Sequence, residues 1–162
     1  MSKKEKRTQV QKALTKKETF IKSQEQTVCR HQFLDEFVLC EIACKAVVSM
    51  YRKNNKTFTS EKDLKLDMKE IPAAIKYAGY NIDNDVLNVI FAGSGNYRKR
   101  GAKSAKQLRN AIIHNLSEPD VLEMCNRYEY LHNMMNTFLD CFRNSVHRDD
   151  SVQKNEPSNK AA

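Results

Sequence analysis

A chain of 162 residues is long enough for one domain around a single core plus tails, and its 40% apolar content can fill such a core. Four glycines and three prolines, against many Ala, Leu, Lys, Glu and Asn residues, favour helices over a sheet-rich fold. No run approaches the ~18 apolar residues of a membrane span, and the charged N-terminus has no apolar signal core, so the expectation is a cytoplasmic protein with no membrane partner.

The formal net charge of +8 is unevenly spread. Residues 1–23 carry eight Lys/Arg and two Glu, and residues 98–109 carry six Lys/Arg and no acid, which leaves the rest of the chain mildly acidic. Two basic patches on such a chain suit a polyanion, RNA or DNA. The plainer reading of a lysine-rich terminus is a solvated segment.

In chain order, residues 1–24 read as a basic, partly disordered N-terminal segment, with Val10, Leu14 and Phe20 hinting at a helix that forms late in it. From 26 to 53, Phe33, Phe37, Cys40, Cys44, Val47 and Tyr51 recur every three or four residues, the apolar stripe of a long helix. Leu34, Val38 and Ile42 widen the stripe and predict that this helix is well buried. RKNNKTFTS over 52–60 breaks the pattern as a loop. Ser60 is placed to cap a short helix over 61–66. Asp67 and Glu70, at capping-box spacing, open another over 68–78, with Pro72 in an early turn and Gly79 at its end.

Asp83 or Asn84 opens a helix over 85–92 whose apolar content is Val86, Leu87, Val89, Ile90 and Phe91. GSGNYRKRGAK over 93–103 is a basic loop, and the Ser104/Gln107 pair caps a helix over 105–116. Ser117 caps a last helix with Pro119 and Asp120 in its first turn. Its stripe of Val121, Met124, Cys125, Tyr128, Leu131, Met135, Phe138 and Phe142 carries it to about residue 146. Met124, Met134 and Met135 read as core or dimer packing. Residues 148–162 have almost no apolar content and read as a disordered tail. The expectation is an all-α, up-and-down helical bundle over residues 25–147, with two long and three or four shorter helices.

Five cysteines are odd in number. Cys40 and Cys44 lie one helical turn apart, but no nearby CxxC or His completes a metal site. No metal and no cofactor are expected, and the cysteines read as buried thiols in a reducing cytoplasm.

The helix over 105–116 carries Arg109, Asn110 and His114. Five helical residues turn by about 140° and rise ~7.5 Å, so the arginine and histidine leave the helix in different directions. A two-fold axis beside the helix would bring two of each into one cleft. The residue types suit phosphodiester cleavage. Histidine moves protons near neutral pH, and arginine meets phosphate oxygens with a fork of donors. RNA supplies its own nucleophile in the 2′-hydroxyl. A lone helical histidine with an arginine nearby is also ordinary surface chemistry, so composition alone leaves both readings open.

The stretch SAKQLRNAIIHNLS resembles the signature of the HEPN superfamily, small helical domains of many prokaryotic toxin and antiphage ribonucleases. Their motif is Arg, a polar residue, a few more residues and then His, and Arg109, Asn110 and His114 match it in order and spacing. The likeness covers residues 25–146. It implies a homodimer with a composite cleft and metal-independent cutting of single-stranded RNA, as a toxin or antiphage defence effector. His114 would move the proton or place the 2′-hydroxyl, Arg109 would bind the scissile phosphate and Asn110 would hold the pair in register. An antitoxin or defence-system protein is an implied partner. HEPN toxins paired with nucleotidyltransferase antitoxins often carry a tyrosine two residues after the histidine as a modification site. Leu116 stands there, which speaks against that route of regulation.

On this reading Arg98, Lys99, Arg100, Lys103 and Lys106 guide the RNA backbone, and Tyr97 either stacks on a base or anchors its own loop. The alternative is a non-catalytic HEPN module that binds RNA, nucleotide or a partner protein. A plain helical adaptor is the third possibility.

Overall fold

A computed structural model of the protein describes residues 3–22, 27–55, 64–93 and 102–152. Among them are seven helices and no strand: α1 (Lys3–Lys22), α2 (Thr27–Asn54), α3 (Ile71–Tyr77), α4 (Asn84–Phe91), α5 (Ala105–Asn115), α6 (Glu118–Asn126) and α7 (Tyr128–Val152). None is long and apolar enough to cross a membrane.

α2 is the central helix. It packs along α7 and α3, α4 bridges α7 and α5, and α5 pairs with α6. Phe33, Phe37, Cys40, Cys44 and Val47 of α2 are buried, as their spacing predicts. A chain of rings crosses the core from α2 to α4 to α7. Phe37 meets Phe91 at 6.2 Å between centroids, Phe91 meets Phe138 at 5.4 Å, and Phe138 meets Phe142 at 5.1 Å, all tilted or edge-on.

The widened stripe of α2 does not form. Leu34 packs against the core, but Val38 and Ile42 are 42% and 60% exposed, beside the exposed Leu39. At about 100° per residue, positions 38 and 42 point well over 90° away from the line through Phe33, Phe37 and Cys44. They are apolar residues on the outer face.

α4 is buried almost all round, with Val86, Leu87, Val89, Ile90 and Phe91 inside and Asp83 accepting from the backbone N–H of Asp85 at its start. α3 begins at Ile71, later than the capping-box reading places it. Asp67 accepts from the Lys69 N–H at 3.0 Å, and the Glu70 carboxylate is taken by Arg52, whose Nε and Nη2 donate at 2.8 and 2.7 Å. With its carboxylate engaged there, Glu70 stands at the N-cap of α3 and makes no side-chain capping bond. Gly79 does close α3 with φ +84°, the left-handed geometry that glycine adopts without strain; its N–H donates to the Lys76 carbonyl and that of Tyr80 to the Ile75 carbonyl. The short helix expected over 61–66 is not helical at 64–66, and its first residues lie outside the described ones.

Both ends of the chain differ from expectation. The basic N-terminal segment is helical from Lys3, in keeping with the Lys, Glu, Gln, Ala and Leu it contains. Its described side chains are exposed except Lys17, which is partly buried. α7 runs on past residue 146 to Val152, since adding a residue to an existing helix costs far less than starting one. Residues 153–162 of the predicted tail lie outside the described ones. The long last helix is two helices, broken at Arg127 without Gly or Pro. Arg127 has φ −108° and ψ 9°, its N–H still donates to the Glu123 carbonyl, and its guanidinium donates to the Lys103 carbonyl at 2.8 Å and to the Glu123 carboxylate at 2.9 Å.

Candidate functional site

Ser104 fixes where α5 begins. It is fully buried, and its Oγ donates to the Ala92 carbonyl at 2.6 Å, so the start of α5 is tied to the end of α4. The same oxygen accepts from the Gln107 N–H at 3.2 Å, and the Gln107 side chain accepts from the Ser104 N–H at 3.0 Å. This is the reciprocal capping box that the sequence predicts. The helix turns Ala105, Leu108 and Ile112 into the core. That choice sets the direction of every other side chain on it.

Arg109 then lies at the edge of the buried face, with its side chain 23% exposed. Its Nη1 donates to Asn110 Oδ1 at 2.7 Å and its Nη2 donates to Glu41 Oε2 at 2.8 Å. The guanidinium carbon sits 5.3 Å from the ring centre of Phe37, a cation–π distance. Arg109 Nε is buried and has no hydrogen-bond partner. Glu41 is shared, because its other oxygen lies 3.3 Å from Lys45 Nζ, one turn along α2. The arginine is thus held by α2 from below and from the side.

Asn110 and His114 are one turn apart, about 40° from each other around α5, while Arg109 and His114 differ by about 140°. Asn110 stands between them and touches the arginine. His114 is exposed, as are Ile113 (54%) and Asn115 beside it. The structure therefore gathers Arg109 and Asn110 directly and leaves His114 on the open side of the same helix. α5 ends at Leu116, whose φ of 43° makes it a left-handed cap without glycine. Lys17 of α1 donates to the Leu116 carbonyl at 2.8 Å and lies 3.8 Å from Glu118, so the basic first helix is pinned where α5 gives way to α6.

Of the residues named from the sequence for RNA contact, Tyr97, Arg98, Lys99 and Arg100 lie outside the described residues. Lys103 is engaged within the chain. Its Nζ pairs with Asp120 and its N–H donates to Glu123 at 3.1 Å. Burial works to raise the Asp120 carboxyl, but hydrogen bonds from Lys103 and Ser117, with the lysine's charge, hold it below the ordinary range. Lys106 Nζ donates to the Leu66 carbonyl at 3.3 Å.

Sequence reasoning missed Glu41 and Phe37 as partners of Arg109. Both belong to the long α2 pattern, and nothing in their spacing announces a contact 68 positions away. It also missed a second polar cluster between α2 and α7. There His132 Nδ1 lies 2.6 Å from Glu36, Asn136 Nδ2 lies 3.0 Å from His132 Nε2, and the Tyr128 hydroxyl donates to Gln32 at 3.0 Å. Burial and the charge of Glu36 push the Tyr128 phenol up to about 12, so it remains a donor. None of the five cysteines is in a disulfide. Burial pushes both the Cys40 and Cys44 thiols up to about 12, which keeps them protonated and unreactive.

No family model matches the chain, and no curated protein or solved structure matches it either.

Proposed function

We propose that the protein is a metal-independent endoribonuclease that cuts single-stranded RNA at a site completed by a second copy of the chain. The observation that carries this reading is the arrangement on α5. A guanidinium is held in place by Asn110, Glu41 and the Phe37 ring, and an exposed imidazole follows one turn beyond Asn110. The apolar residues around it support the second copy. Val38 and Ile42 lie on the outer face of α2, the helix that supplies Glu41, and Ile113 lies about 40° from Arg109 around α5. Exposed aliphatic side chains beside charged groups are what a two-fold contact would cover.

In this reading His114 takes the proton of the 2′-hydroxyl, whose oxygen then attacks the adjacent phosphorus. The 5′-oxygen leaves with a proton from an acid, for which the second copy's imidazole is the candidate. The product is a 2′,3′-cyclic phosphate. Arg109 stabilises the charge that builds on the phosphorane oxygens. A role as a toxin or antiphage effector, with an antitoxin or other defence protein as partner, belongs to the same proposal and rests on the HEPN resemblance.

One observation favours the second reading, a non-catalytic module that binds RNA, nucleotide or protein. Arg109 already has a carboxylate partner, as a purely structural arginine does. The deciding assay is purified protein on single-stranded RNA in EDTA. Cutting that leaves 2′,3′-cyclic phosphate ends, lost in both His114→Ala and Arg109→Ala, is the expected result. Binding without cutting would leave the module. Sedimentation of the native protein tests the second copy, and a strictly monomeric chain would remove the composite site.

A further inference from the structure

Arginine offers two edges for bidentate contact with a phosphate, Nη1–Nη2 and Nε–Nη2. In this protein the second edge is closed, because Nε is buried. Of the two nitrogens on the first edge, Nη1 already donates one hydrogen to Asn110 and Nη2 one to Glu41. A phosphate that approaches the remaining edge therefore meets an ionised carboxylate 2.8 Å from one of the two nitrogens it needs. The two partners are not equivalent. The Asn110 amide is neutral and tolerates an anion nearby, whereas Glu41 repels one. Glu41 also has somewhere to go, since Lys45 Nζ lies 3.3 Å from its other oxygen and is 39% exposed.

We propose that Glu41 is an exchangeable counter-ion of Arg109, which a phosphodiester of the bound strand displaces onto Lys45. This rests on the reading of Arg109 as a phosphate ligand. In the free protein the carboxylate keeps the guanidinium oriented over Phe37 and cancels its charge. When the strand enters, Arg109 exchanges a carboxylate for a phosphate and Glu41 keeps one cation instead of two. Glu41 is then a positioning residue that also sets the affinity: it competes with the substrate for the same nitrogen. Lys45, which no motif marks, becomes part of the binding equilibrium through Glu41 and without touching the strand.

The test is direct binding of a 2′-O-methyl oligoribonucleotide, which retains the phosphates and cannot be cut. Its outcome is therefore independent of cleavage. Glu41→Gln keeps the shape and an acceptor for Arg109 but removes the charge. It should bind the oligonucleotide about three- to tenfold more tightly than the native protein, the scale of one unit charge about 4 Å away under the full screening of water. Lys45→Met removes the second cation and should weaken binding. In the Glu41→Gln background the same change should have little effect, because the carboxylate it serves is gone. The Arg109 Nε–Hε resonance, followed in protein labelled at arginine nitrogen, should shift on oligonucleotide addition. In Lys45→Met that shift should need more oligonucleotide.

Binding by the native protein that is unchanged or weaker in Glu41→Gln would overturn the counter-ion while leaving the RNA site standing. Equal effects of Lys45→Met in both backgrounds would overturn it as well, and would mark the lysine as a direct contact. No binding by either protein would remove both this inference and the reading of Arg109 on which it rests.

Discussion

Ser104→Ala is the most informative single change in the scaffold. The hydroxyl has two duties inside a fully buried side chain: it donates to the Ala92 carbonyl and accepts from the Gln107 N–H. Loss of a serine N-cap costs about 1 kcal/mol in typical helices. Ala92 ends α4, so its carbonyl has no helical partner downstream, and an orphaned buried acceptor costs about 1–3 kcal/mol more. The surviving bond from the Ser104 N–H to the Gln107 side chain limits the damage. The expected destabilisation is about 2–3 kcal/mol. With a urea slope of about 2 kcal/mol/M for a domain of this size, the midpoint should fall by roughly 1 M with the slope unchanged. Hydrogen exchange should quicken at the Gln107 and Leu108 amides before it does in α2. Because Ser104 touches none of Arg109, Asn110 and His114, ligand binding should persist wherever the variant is folded. A loss below about 1 kcal/mol, in the range of a surface cap alone, would refute the view that this oxygen joins two helices across the basic segment.

Three further outcomes follow from the same geometry. Deletion of residues 1–24 should weaken binding of single-stranded RNA and flatten its salt dependence, since a +6 segment is removed. It should change urea stability by less than about 1 kcal/mol, because no described α1 side chain enters the core. An unchanged salt slope would place that charge outside any nucleic-acid contact. Asp120 has a lowered folded pKa, so its contribution is full above the ordinary carboxyl value of about 3.9 and is lost as the pH falls through the lower folded value. Asp120→Asn should therefore cost about 1 kcal/mol at pH 7 and progressively less toward pH 3, as read by urea titration at each pH. A pH-independent cost would mean that the loss is steric. Cys40 and Cys44, buried and protonated, should resist a thiol reagent in the native protein and label at the rate of unfolding, whereas rapid labelling at pH 8 would show that α2 opens locally.

Much of this molecule was legible because short-range rules decide it. The stripe from Phe33 to Val47 placed α2, and Ser104 with Gln107 placed the first turn of α5. Gly79 marked the end of α3 because only its left-handed backbone closes that helix cheaply. The failures share a cause as well. Glu70 was at the right spacing to cap a helix, but an arginine 18 residues earlier took its carboxylate. The break at Arg127 carries no Gly or Pro to announce it, and the carbonyl its guanidinium meets lies 24 residues away. Val38 and Ile42 are as apolar as core residues, but their angle around α2 points them outward. The candidate site divides in the same way. Arg109, Asn110 and His114 are visible as a local pattern, while Glu41, Phe37 and Lys45 become visible only when two helices are laid side by side.

Phe37 is packed against Phe91 and also forms the floor beneath the Arg109 guanidinium. One residue thus belongs at once to the solid interior and to the proposed phosphate site. Variation at Glu41 or Lys45 can retune the charge around the arginine without disturbing the interior. Variation at Phe37 cannot, since any change of the floor is also a change of the foundation. Under the proposed reading, changes along the outer rim of α2 retune the site, and a chain that lost this ring would have to rebuild the interior first.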